Sequence, residues 1–242
     1  MIRSQKRLSE NIIHEEKLSQ PEELLLTYHK TSDWVRQNTR IVVGAGVALI
    51  ALVAGFFYWH SRQVENSEHA ETMLSRVAGL YQTGEWRKAI DGDAKQRLQG
   101  EPLRGLKEIA NEYGSTHAGE LAKLELGNAY YYLGKLDSAL DAYNDASIDG
   151  PLLKAAVESG KATIFEDKGN KAEAAKLFIA AASIDKINPM NADYSLAAAR
   201  NFAAAGNNDE AIKVYRKILE DYPGTQFDDA AKRELLKLNV ML

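Results

Sequence analysis

The residues best suited to chemistry are few, and their spacing does not favour it. Five histidines, His14, His29, His60, His69 and His117, could bind a metal or move a proton, yet none stands at ligand spacing from another histidine or a carboxylate. Carboxylate pairs occur at Glu15-Glu16 and Asp228-Asp229, a pattern typical of solvated faces. The absence of cysteine excludes thiolate nucleophiles, disulfides, Cys-based zinc sites and a lipid-modified N-terminal cysteine. No serine has a nucleophile-elbow context. Gly44 and Gly46 stand in an apolar run, not in a phosphate-binding loop. No catalytic residue, metal site, cofactor or small-molecule substrate is therefore expected. A net charge of −4 offers no basic face for nucleic acid. What remains is recognition of other proteins, and that depends on the elements that display the side chains.

The first such element is apolar. Residues 41–59 read IVVGAGVALIALVAGFFYW, without a charge. As a helix this run is roughly 28 Å long, close to the ~30 Å hydrocarbon core of a bilayer. Arg40 bounds it on one side, His60 and Arg62 on the other, and Tyr58 and Trp59 fall where an aromatic belt sits. The forty residues before it and the bulky FFYW at its end argue against a cleaved signal peptide. Arg3, Lys6, Arg7, Lys17, Lys30, Arg36 and Arg40 precede the run, whereas only Arg62 follows within fifteen residues. By the positive-inside rule the N-terminus is cytoplasmic and everything after Trp59 is outside. Gly44, Ala48, Ala51 and Gly55 share one face of the span, which suits close approach of a second helix and is equally the ordinary composition of membrane helices. Upstream, residues 1–17 are polar and mixed in charge, expected to be poorly ordered. Ser19, Pro21 and Glu22 form a helix-start pattern. Leu24, Leu25, Tyr28 and Trp34 or Val35 then recur at helical spacing, either as an amphipathic segment or as a lead-in to the span.

Downstream the chain is helix-forming and repetitive. The phrase G-x-x-x-x-A occurs at Gly84, Gly134, Gly169 and Gly206. Alignment on the last three glycines brings small residues into register seven positions earlier (Gly127, Ala162, Ala199) and aromatics four earlier (Tyr130, Phe165, Phe202). Alanines follow five later (Ala139, Ala174, Ala211) and aromatics nine later (Tyr143, Phe178, Tyr215). Ala146, Ala181 and Ile218 stand twelve later; Pro151 and Pro223 stand seventeen later, where Lys186 breaks the pattern with Pro189 close behind. The small residues allow two helices to touch, the glycine permits a tight turn, and the aromatics fill the space between hairpins. A single hairpin cannot bury its apolar face, so such units must stack.

This pattern resembles the tetratricopeptide repeat over residues 118–223, carried by Leu126, Gly127, Tyr130, Ala139, Tyr143 and Pro151. Lys123 departs from it, standing where the signature prefers tryptophan. Residues 78–89 match a first helix and turn. An insertion, IDGDAKQRLQGEP, then interrupts, and residues 103–113 are expected to resume as a helix. Tyr113-Gly-Ser-Thr aligns with Tyr222-Pro-Gly-Thr, and residues 227–238 form an amphipathic capping helix. The expected fold is all-α: residues 1–40 an N-terminal cytoplasmic segment, 41–59 a transmembrane helix, and 60–242 an α-solenoid of helical hairpins.

The architecture also resembles the YfgM-like ancillary subunits of the bacterial SecYEG translocon. Tyr58, Trp59, Ser61, Gln63 and Val64 after the span, and the stretch from Glu108 to Gly127, carry this resemblance. The insertion after Ala89 and the longer N-terminus depart from it. The resemblance implies a chaperone-like accessory subunit in the inner membrane with its repeats in the periplasm. Its partners would be translocon subunits, periplasmic foldases or unfolded client chains. A structural assembly protein of another envelope complex is the alternative. In such stacks the first helix of each unit lines the concave face. Asn128, Tyr131, Thr163, Glu166 and Arg200 occupy that face and are the expected partner-binding residues, with Asn128 one residue past the signature glycine, where peptide-binding repeats often carry asparagine.

Overall fold

The computed structural model describes residues 20–98 and 100–241. The expectations for residues 1–17 and Ser19, and for the side chains of Leu24 and Leu25, lie outside what is described. The chain divides into two compact units, with the boundary between Ser61 and Arg62.

In the first unit, α1 (Gln20–Gln37) carries exposed Tyr28 and Trp34, and a turn at Asn38 leads into α2 (Thr39–Gln82). Asn38 caps the end of α1 by donating from Nδ2 to the Trp34 carbonyl (2.9 Å). The apolar stretch of α2 is long enough to cross a membrane, and no side chain of its most apolar window is buried by the described residues. Soluble helices usually hide such surface, so this stretch is a candidate membrane span by its length and composition.

The second unit is built of helical hairpins. The C-terminal part of α2 buries Ala70, Met73, Leu74 and Val77 and forms the first helix of the first hairpin. The expected insertion is more ordered than a loop. A short α3 (Trp86–Asp91) ends at Gly92, and β1 (Asp93–Leu98) pairs antiparallel with β2 (Glu101–Leu103). The second helix then resumes as α4 (Leu106–Glu112). The expected restart at residue 103 is therefore three residues early. Leu103 pairs with Asp93 in the sheet and is buried, and a Cβ on Gly105 would lie 2.2 Å from the Ile90 carbonyl. Only paired glycines, Gly92 and Gly105, let the two backbones close the hairpin's base at that separation.

Regular hairpins follow: α5 (His117–Tyr132) with α6 (Leu136–Asp145), α7 (Pro151–Asp167) with α8 (Lys171–Ile184), and α9 (Asn191–Ala204) with α10 (Asn208–Asp221). The capping helix is α11 (Gln226–Lys237). All four pattern glycines have left-handed backbone, with φ between 71° and 79°. At each, the glycine N–H and the next N–H turn back to the helix end; at Gly134 they reach the Tyr131 (2.8 Å) and Tyr130 (2.9 Å) carbonyls. This is the Schellman arrangement, which satisfies carbonyls a helix end would otherwise leave bare. Ala139, Ala174 and Ala211 are fully buried, and Tyr143, Phe178 and Tyr215 fill the core behind them. Thr116 and Thr225 cap α5 and α11 in the same way, each hydroxyl accepting from the backbone three residues on and donating to the carbonyl of the preceding tyrosine. Where Lys186 replaces the expected proline, Asp185 and Asn188 side chains accept from Ile187 N and Met190 N and shape the longer turn. Lys123, in the tryptophan position, bridges Glu120 (2.6 Å) and the Gly114 carbonyl (3.3 Å).

Candidate protein-interaction surface

The first helices of the hairpins, the end of α2 and then α5, α7 and α9, carry the expected surface. Asn128 is half-buried and spends its amide inside the protein: Nδ2 donates to the Tyr81 hydroxyl (3.0 Å), and Oδ1 accepts from the Tyr143 hydroxyl. It joins α2, α5 and α6 as a strut. Tyr143 fits there because α5 and α7 both present glycine. A Cβ on Gly127 would lie 2.6 Å from its ring, and one on Gly160 would lie 2.5 Å away on the other side. Burial pushes the Tyr143 hydroxyl well above the ordinary tyrosine range, so it stays a proton donor. Burial also pushes up Tyr81, against the opposing pull of its hydrogen bond from Asn128.

The other expected residues divide into two groups. Tyr131 feels the charges of Asp167 and Glu166, so α5 and α7 meet in an acidic, tyrosine-bearing edge. Burial is the larger cause of the raised Tyr131 pKa, with Asp167 second. Glu166 also pairs with Lys171 at 3.7 Å. Thr163 donates to the Ser159 carbonyl of its own helix (2.9 Å). Arg200 is exposed on α9 and its charge acts on Tyr215 of α10, not on the tyrosine-bearing edge.

Sequence reasoning missed the strongest feature of this surface. Trp86 stacks on Tyr132 with ring centres 4.5 Å apart and planes 12° from parallel, and Tyr81 meets Trp86 edge-on at 5.2 Å. Tyr132 remains 61% exposed. Glu125, on the same helix face, has a buried Oε2 with no hydrogen-bond partner among the described residues, and burial pushes its carboxyl up to about 7. The signal was present: Glu125, Asn128 and Tyr132 stand at i, i+3 and i+7 on α5, one helical face. Among the described residues no group of three or more His, Asp or Glu gathers to hold a metal.

The tetratricopeptide repeat family model matches residues 124–186 and, overlapping, 159–225. The chain is also similar to a crystal structure of Podosopora anserina putative kinesin light chain nearly identical TPR-like repeats, and to that of a single-substitution variant of the same protein. Each is 16% identical, with a TM-score of 0.52, over 71% of this chain and 85% of that one. No curated protein matches the chain. The fold is an α-solenoid of tetratricopeptide-type hairpins. Residues 124–225 match the tetratricopeptide repeat, a class that typically serves as a non-catalytic scaffold for protein–protein interaction.

Proposed function

We propose that this chain is a membrane-anchored protein-binding scaffold, a chaperone-like accessory subunit on the periplasmic side of a bacterial inner membrane, working at the protein translocon. The observation that carries the anchoring is the uncovered apolar stretch of α2, residues 41–59, in the same chain as a repeat stack. The basic residues before that stretch favour a cytoplasmic N-terminus. The likeness of residues 58–64 and 108–127 to YfgM-like subunits supports the translocon as the site of action. The repeats bind translocon subunits, periplasmic foldases or client chains, and use no cofactor.

Two fusions after Leu242 test this. An alkaline phosphatase fusion is active if the repeats are periplasmic, and inactivity refutes the orientation. A proximity-labelling enzyme at the same point should tag translocon subunits or a membrane-bound foldase. Tagging of division or other envelope machinery in their place refutes the translocon assignment and supports a structural assembly role.

A further inference from the structure

The first helix of the second hairpin, α5, carries a half-buried carboxylate, Glu125. Glu125 Oε2 is buried and unpartnered among the described residues. Burial raises its carboxyl. Four lysines of the second and third hairpins are engaged with other groups. Lys123 pairs with Glu120 at 2.6 Å, Lys135 lies over the Tyr130 ring at 5.7 Å, Lys168 bonds Asp137, and Lys171 pairs with Glu166. A buried acceptor without a donor costs stability, and folds tend to keep such groups where function needs them.

What surrounds Glu125 indicates the missing partner. Glu125 stands three residues before Asn128, whose amide donates to the Tyr81 hydroxyl (3.0 Å), and seven before Tyr132, so it shares one face of α5 with the residues that meet the aromatic wall of Tyr81, Trp86 and Tyr132. Asp167 and Glu166, whose charges act on Tyr131, add negative charge at the adjoining edge. Ring faces attract cations through their quadrupoles, and a carboxylate accepts the N–H groups of a guanidinium or ammonium. We propose that this face receives an arginine or lysine side chain of a protein partner, its cation meeting Glu125 and its stem lying along the Trp86–Tyr132 stack. The inference rests on the scaffold reading above and adds the chemistry of the partner.

The full-length chain in detergent micelles, titrated at pH 8 with a fluorescein-labelled Gly-Ser-Arg repeat peptide and its citrulline counterpart, tests it by anisotropy. The arginine peptide should bind about tenfold more tightly than its neutral isostere. Glu125→Gln should weaken the arginine peptide about tenfold and Tyr132→Ala about fivefold, whereas Lys217→Ala, exposed on α10, should change it less than about twofold. Circular dichroism verifies that each variant is folded. Equal affinity for the two peptides, no binding of either, or unchanged affinity in Glu125→Gln overturns the proposal. A photocrosslinking amino acid at Thr163 separates this from the scaffold reading. Equal capture of partner by wild type and Glu125→Gln overturns the cation site alone, and no capture by either overturns both.

Discussion

Replacing Glu125 by glutamine keeps the side chain's volume and removes its charge, so the variant isolates what burial of that charge does to the fold. In the folded chain the carboxyl rises from its ordinary 4.5 to about 7. That shift sets an upper bound of roughly 3 kcal/mol on the destabilisation at neutral pH, and partial solvent screening reduces it to about 1–2 kcal/mol. The folded state binds the proton more tightly than the unfolded state, so stability falls as pH rises through the window from 4.5 to about 7. Below that window both states carry the neutral acid, and above it both are ionised. Glu125→Gln should therefore raise the melting temperature by about 2–8 °C at pH 8 and leave it nearly unchanged at pH 4.5. Calorimetry of full-length chain in micelles measures both. A carbon-13 titration of the Glu125 carboxyl should show its midpoint near 7. A variant no more stable than wild type at pH 8, or one stabilised equally at both pH values, would show that the carboxylate is solvated or paired and would refute the reasoning.

Four further outcomes are expected. Gly127→Ala drives a methyl into the Tyr143 ring, 2.6 Å away, and should cost about 1–3 kcal/mol in chemical denaturation. Gly134→Ala meets no neighbour but keeps φ at 71°, so its cost should stay near ~1 kcal/mol, the strain of left-handed backbone alone. Thr116→Ala and Thr225→Ala each remove one N-cap and should each lose about 1 kcal/mol, additively because they cap different helices. Leu49→Arg places a charge in the apolar stretch, where the transfer penalty is about 2.5–3.5 kcal/mol, and should release a larger fraction of the chain from carbonate-washed membranes.

Much of the architecture was legible because it rests on local rules. The four glycines mark left-handed turns, the alanine and aromatic columns mark buried faces, and the paired Tyr-x-x-Thr segments mark two equivalent helix caps. The insertion was legible only as an interruption. Its strands are short, and the pairing that orders them depends on Gly92 and Gly105 meeting across thirteen residues of chain. The surroundings of the candidate residues were half legible. Helical spacing placed Asn128 and Tyr131 on the inner face, but the hydroxyls that occupy Asn128 come from Tyr81 and Tyr143, on other helices.

The sequence by itself determined the repeat, its period and its turn positions, because each follows from spacing along one helix and from the backbone freedom of glycine. It also determined the uncharged run of residues 41–59, because composition and length suffice for that. Only the tertiary structure decided which polar groups are already satisfied and which are not. Asn128 is bonded on both sides, while Oε2 of Glu125, three residues away, is buried without a donor among the described residues. Hydrogen bonding and desolvation depend on what packs from neighbouring helices, and the spacing along one helix does not carry that information.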